Sequence, residues 1–241
     1  MLSEGKKLTA VDSDEGRFTV RLKFKKVGNL QYISHLDLQR TFNRVIKRSG
    51  IPVWYTKGFN PHMKLVFSSP LSIGSESVCE YLDLSMQGDI SCSEIMERLN
   101  RELTDELCII DAYVAERKFI DIAWADYTCE IFCDGASDKL AADAEKLLST
   151  SPLNMIKSTK SGEKEIDIVS LIKKADVSFD EARGVLLIKA RLSATSTNFL
   201  NPEMLISAMK RELGILSGDP SREWYTIMRE ALLDEKEELF I

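Results

Sequence analysis

Apolar and polar residues alternate from Arg17 to Val27 (RFTVRLKFKKV). Phe18, Val20, Leu22 and Phe24 fall on one side, and Arg17, Arg21, Lys23 and Lys25 mostly on the other. A period of two predicts a half-buried strand with a basic outer side. After Gly28-Asn29 the period becomes helical: Leu38, Phe42, Val45 and Ile46 share one stripe, and Arg40, Arg44, Lys47 and Arg48 the opposite one. Ser34 is the expected N-cap, Asp37 three residues on favours the helix start, and Ser49-Gly50 ends the helix. An extended piece (IPVWYT), a turn-rich loop (KGFNPHMK) and a short strand (MKLVF) follow. Then come a second loop (SSPLSIGSES), a strand (SVCEYLDLSM), a serine-capped helix (SCSEIMERLNREL) and a strand (LCIIDAYVAER). Strand, helix, strand, strand, helix, strand is the order of the ferredoxin-like split βαβ motif.

The order recurs in the second half. YTCEIFC predicts a strand, SDKLAADAEKLLS a helix, and LNMIKST with KEIDIVSLI the middle strands. GVLLIKARLSA predicts a strand, and NPEMLISAMKREL a helix with Asn201 as cap and Pro202 in its first turn. REWYTIMREALL fits a closing strand or a terminal helix. The expected architecture is α+β, two tandem ferredoxin-like (split βαβ) domains: a flexible tail over residues 1–16, a first domain over 17–122 and an acidic second domain over 123–241.

Length and composition permit this. A chain of 241 residues has room for two domains of about 100–120 residues. No run approaches the roughly 18 apolar residues that cross a bilayer, and the polar N-terminus lacks an apolar signal core. No membrane association is expected, and the expected location is the cytoplasm. Five cysteines, Cys79, Cys92, Cys108, Cys129 and Cys133, form neither a CxxC pair nor a three-cysteine cluster motif. They read as apolar filling, and no metal and no cofactor are expected.

Charge changes the picture. From Arg17 to Lys64 there are eleven Lys or Arg and a single acid, Asp37, although the whole chain carries a formal charge of −6. The segment thus holds +10 and the remainder −16. Both histidines, His35 and His62, lie in this segment, with Phe18, Phe24, Tyr32, Phe42, Trp54, Tyr55 and Phe59. Solvated helix faces normally mix signs, whereas no acid occurs here between Asp37 and Glu76. A basic, aromatic-rich segment in an acidic protein points to an anion-recognising face, with RNA the leading ligand. Arg40, Arg44, Lys47 and Arg48 are the expected phosphate contacts. Lys57, Phe59, Asn60, His62 and Lys64 are the expected loop contacts, with Phe59 and Tyr32 placed to stack bases. The bland reading of the loop is a structured turn with Phe59 tucked inward.

Two weaker catalytic candidates stand beside this. His35 and His62 are the pair that acid–base cleavage of a phosphodiester needs, if they face one cleft. Glu76 and Glu80 point to one side of an extended segment, as an acid pair or a cation site or, by the blander reading, with one of them orienting an arginine.

Tyr32-Ile33-Ser34-His35-Leu36-Asp37 with Arg40, Gly58-Phe59-Asn60-Pro61-His62 with Lys64, and Pro70-Leu71 with Gly74, Glu76 and Glu80 form a pattern. It resembles an uncharacterised bacterial family of radical-SAM-associated (radical-SAM-linked) proteins, a domain of unknown function found alone or fused to a radical SAM protein. Its members are often encoded beside a ribonuclease G-type enzyme. The resemblance is specific over the first 85 residues. It implies a separately encoded radical SAM partner and a setting near RNA metabolism, and it names no reaction. This chain has no CxxxCxxC to hold an iron–sulfur cluster. The expectation is therefore an accessory protein that binds tRNA or rRNA and presents it to that partner, without catalysis of its own. The alternatives are an endoribonuclease using His35 and His62, and a subunit that docks a protein or a phosphorylated metabolite.

Overall fold

The computed structural model describes residues 16–159 and 162–241, so the expected polar tail lies, Gly16 apart, outside the described residues. The protein is mixed α+β, built on a large, mostly antiparallel sheet. The elements are β1 (Arg17–Lys26), α1 (His35–Ser49), β2 (Leu65–Phe67), β3 (Ser75–Gln87), α2 (Cys92–Asn100), β4 (Leu107–Val114) and β5 (Trp124–Phe132). They continue with α3 (Asp138–Ser149), β6 (Asn154–Thr159), β7 (Gly162–Asp167), β8 (Ile172–Asp180), β9 (Val185–Ser193), α4 (Glu203–Leu213) and β10 (Trp224–Leu233). Two units form. Among the described residues, the first takes Gly16–Lys25, Ile33–Ser68 and Glu80–Glu116; the second takes Lys26–Tyr32, Ser69–Cys79 and those of Arg117–Ile241.

In the first unit the strand order is β4-β1-β3-β2. The alternation of β1 buries Val20, Leu22 and Phe24 completely, as the sequence predicts. Leu38, Phe42, Val45 and Ile46 of α1 are buried. Phe24 and Phe42 meet edge to face at 4.9 Å between centroids, and Phe67 of β2 lies 5.8 Å from Phe42. Such aromatic contacts add to the burial that holds the helix on the sheet. The cap is as expected: the Ser34 hydroxyl accepts from the Asp37 N–H at 3.1 Å, and Gly50 ends α1 in the left-handed region at φ 65°. There glycine avoids the Cβ penalty.

The basic outer side of β1 needs a correction. Arg21 does point away from Val20 and Leu22, yet it is 1% exposed. Its guanidinium binds Asp83 of β3 through Nε at 2.7 Å and Nη2 at 2.9 Å, so a buried bidentate pair neutralises it.

In the second unit β10 pairs antiparallel with β5, β5 with β9, and β9 with β8. Segment Trp224–Leu233, open to either reading in the sequence, is therefore a strand. It also pairs in parallel with Ser75–Ser77 of β3. The middle strands differ from expectation. The two segments expected there, LNMIKST and KEIDIVSLI, instead give β6 and β7, which form their own two-stranded sheet, while β8 lies beside β9. The reason is polarity: in β8 only Val177 is buried, because Lys173, Lys174 and Asp176 belong to a strand paired on one side only.

The second unit also absorbs a cation from the basic segment. Lys26 is 3% exposed, and its ammonium donates to the carbonyls of Leu30, Gln31 and Ser75. Buried Arg229 donates to the carbonyls of Ser69 and Pro70. The loop around Pro70-Leu71 and Gly74 is thus tied down by two cations through its own backbone.

Candidate nucleic-acid interface

The first unit carries two basic elements. On α1, Arg40, Arg44, Lys47 and Arg48 are all exposed, opposite the buried stripe. They are not equally available. Arg40 pairs with Asp37 at 3.0 Å, and Arg48 with Glu102 at 2.7 Å. Asp37 has its carboxyl held below the usual range, first by the Ser34 hydroxyl and then by Arg40. Arg44 and Lys47 make no ion pair among the described residues. The surroundings limit the field. Over residues 17–25, 33–68 and 80–116, 12 Lys or Arg stand against 11 Asp or Glu. By formal charge the unit is nearly neutral, and its acid-free run within Ile33–Ser68 is residues 38–68.

The second element is the loop between Thr56 and His62. Tyr55 and Met63 form a bridge across its base, and the Thr56 N–H donates to the His62 carbonyl at 3.0 Å. The Thr56 hydroxyl accepts from the His62 N–H at 3.1 Å and lies 3.0 Å from His62 Nδ1, which is also 3.2 Å from the Asn60 carbonyl. These contacts orient the imidazole by one ring nitrogen. Thr56 is the bracing residue that sequence reasoning passed over; its only signal is a hydroxyl at the stem of a turn-rich loop. Lys57, Gly58, Phe59, Asn60, Pro61, His62 and Lys64 are all exposed, and Phe59 is fully so. The reading that tucks Phe59 inward is thereby excluded. Met63 supplies the buried anchor instead. Lys64 lies three residues before Phe67, and the Phe67 ring lies 5.1 Å from the His35 ring at the start of α1. At about 3.3 Å per residue, Lys64 is thus about 10 Å of chain from Phe67, whose ring meets the helix start.

The catalytic candidates are not brought together by any contact. His35 is exposed and set against Phe67, His62 is set against Thr56 and Asn60, and among the described residues no hydrogen bond links the two. The Glu76 carboxylate accepts from the Gly28 N–H. That gives it a structural task in the second unit. Tyr32, the other expected base platform, is exposed and closes the short 3-10 turn Gly28–Tyr32 of the second unit.

The cysteines are free thiols. Cys129 is fully buried, and burial pushes its thiol up to about 12, which makes it an inert core residue. The second unit also contains a cavity of about 450 Å³, lined by Ile206, Lys210, Leu216, Glu223, Trp224 and Tyr225 among others. No expected site residue lines it. Among the described residues no helix is long and apolar enough to cross a membrane.

No curated protein matches the chain. Among solved structures it is similar to an unknown protein from Galdieria sulphuraria, at 10% identity and a TM-score of 0.27, covering 88% of this chain and 98% of that one. It is also similar to DyPB from Rhodococcus jostii RHA1, at 8% identity and a TM-score of 0.23, covering 90% and 94%. Scores this low carry no argument about fold or function. The informative match is to a family model over residues 19–202, which runs from within β1 to just before α4 and takes in both basic elements: the chain belongs to the family described as an uncharacterized protein conserved in bacteria (DUF2344).

Proposed function

We propose that this protein is an RNA-binding accessory factor whose ligand is tRNA or rRNA. The observation that carries the proposal is the exposed loop of the first unit, where Lys57, Phe59, Asn60, His62 and Lys64 project from a stem closed by Thr56 and Met63. Cations flanking an uncovered aromatic ring are the chemistry that neutralises phosphate and stacks a base. The unpaired cations Arg44 and Lys47 on α1 supply further phosphate contacts. The strand orders β4-β1-β3-β2 and β10-β5-β9-β8 support reading each unit as a ferredoxin-like split βαβ domain. The resemblance over the first 85 residues favours a setting near RNA metabolism and a separate radical SAM protein as the partner to which RNA is presented.

Filter binding of total tRNA across a salt series tests the central claim. Four engaged cations give a log–log slope near −3 on single strands, at about 0.7 per phosphate. Binding that is absent, or flat with salt, overturns it. Retention of a radical SAM protein on the immobilised chain after nuclease treatment tests the partner, and its loss on nuclease treatment means that RNA bridges the two.

A further inference from the structure

We infer that the loop from Lys57 to Lys64 takes an unpaired nucleotide, with the Phe59 ring as a stacking platform; this rests on the RNA-binding reading above. Three observations converge. Phe59 is fully exposed on a loop whose stem is closed by the Tyr55–Met63 bridge and the Thr56–His62 hydrogen bonds, so the ring is presented rather than packed. Gly58 sits at φ 134°, a conformation open to glycine, and a Cβ added there meets nothing within 4 Å. The backbone beside the ring is thus shaped by conformation and leaves open space next to it. Lys57 and Lys64 flank the ring along the chain, and no acid occurs in the sequence from 38 to 75.

That combination selects an occupant. An acidic peptide offers carboxylates to the lysines, but it stacks on Phe59 only where it also carries an aromatic or guanidinium side chain, whereas every nucleotide carries both an anionic and a planar group. A base-paired duplex offers phosphates, but its bases are stacked on one another and closed to Phe59. An unpaired nucleotide offers both a π-face and a phosphate on each side. The Asn60 side chain, exposed beside Phe59, provides donors and an acceptor for a base edge. Stacking tolerates any base, so the preference is for strand state over sequence.

The test compares a short single-stranded RNA with the same sequence annealed to its complement, using the full chain and the variants Phe59→Ala and Phe59→Trp. The single strand is expected to bind more tightly than the duplex. Phe59→Ala is expected to lower single-strand affinity about tenfold, in line with the loss of one base–aromatic stack, while leaving the salt slope unchanged. Phe59→Trp is expected to retain affinity and to show quenching of the new indole by the single strand only. Thermal unfolding of both variants should match the parent, because an exposed ring leaves no cavity. Equal binding of duplex and single strand, or an unaffected Phe59→Ala variant with the parental salt slope, overturns the unpaired-nucleotide inference and leaves the RNA reading standing. Binding of neither RNA, or salt-independent binding, overturns both.

Discussion

Neutralising the two unpaired cations of α1, with Arg44→Gln and Lys47→Gln together, gives the sharpest reading of the helix. Both side chains are exposed and make no ion pair among the described residues, so their removal breaks no contact. Relief of repulsion along Arg40, Arg44, Lys47 and Arg48 raises helix stability by a few tenths of a kcal/mol at most. Binding responds differently. If each cation neutralises one phosphate, the log–log slope falls by about 1.4 for a single strand, and affinity at about 0.1 M salt falls about 25-fold. The opposite perturbation has the opposite sign. Asp37→Asn with Glu102→Gln releases Arg40 and Arg48 from their pairs, and the slope is expected to steepen by up to about 1.4. Filter binding across a salt series measures both arms, with thermal melts to confirm the fold. If the first pair leaves slope and affinity unchanged while the second also does nothing, phosphate does not reach the helix.

Three other outcomes follow from the packing. Lys26→Met strips three carbonyls of a charged donor, so the second unit is expected to lose about 3 kcal/mol or more, read as a Tm fall of roughly 6–12 °C, with the RNA salt slope unmoved. Asp234 has its carboxyl held below its ordinary value first by the Glu238 N–H, then by Arg117 and the Lys236 N–H. Its stabilisation is present above about pH 4, the unfolded value, and is lost as pH falls through the lower folded value. Asp234→Asn is therefore expected to lower Tm at pH 7, with the gap to the parent closing on acidification below about pH 4. The double variant His35→Ala, His62→Ala is expected to leave RNA integrity unchanged relative to the parent on a denaturing gel; cleavage by the parent that the variant lacks would revive the endoribonuclease reading.

How much of this was legible in the chain depended on how local each determinant is. Helix α1 was readable to the residue in its buried stripe, because period, N-cap and C-terminal glycine all lie within 17 positions. β10 was not, since WYTIMREALL mixes strand formers with good helix formers. Its state is decided by neighbours about 100 and 150 residues away, Trp124–Phe132 and Ser75–Ser77. β8 was hidden by its charges, since a strand paired on one side keeps lysines and carboxylates in solvent and loses the apolar signal. In the candidate site, the Gly, Asn and Pro content predicted a turn but left open whether Phe59 points out or in; its full exposure is a finding of the fold. The pairing of Arg48 with Glu102, 54 residues away, was not legible either, because ion pairing leaves no local pattern.

That last point decides how the basic segment should be weighed. Eleven cations between Arg17 and Lys64 invite a large electrostatic footprint, and eleven phosphate contacts would give a slope near −8 on single strands. The fold engages five of the eleven. Arg21 is buried on Asp83, Lys26 on three carbonyls, and Arg17 lies over the Trp54 ring at 4.2 Å. Arg40 and Arg48 are held by carboxylates. Arg44 and Lys47 on the helix and Lys64 on the loop are exposed and make no ion pair among the described residues, and Lys57 is exposed beside them. A slope near −3 therefore fits an interface of one helix stripe and one loop. A slope near −8 would require the paired arginines to exchange their carboxylates for phosphate and β1 to contribute as well, and would move the centre of the interface away from Phe59.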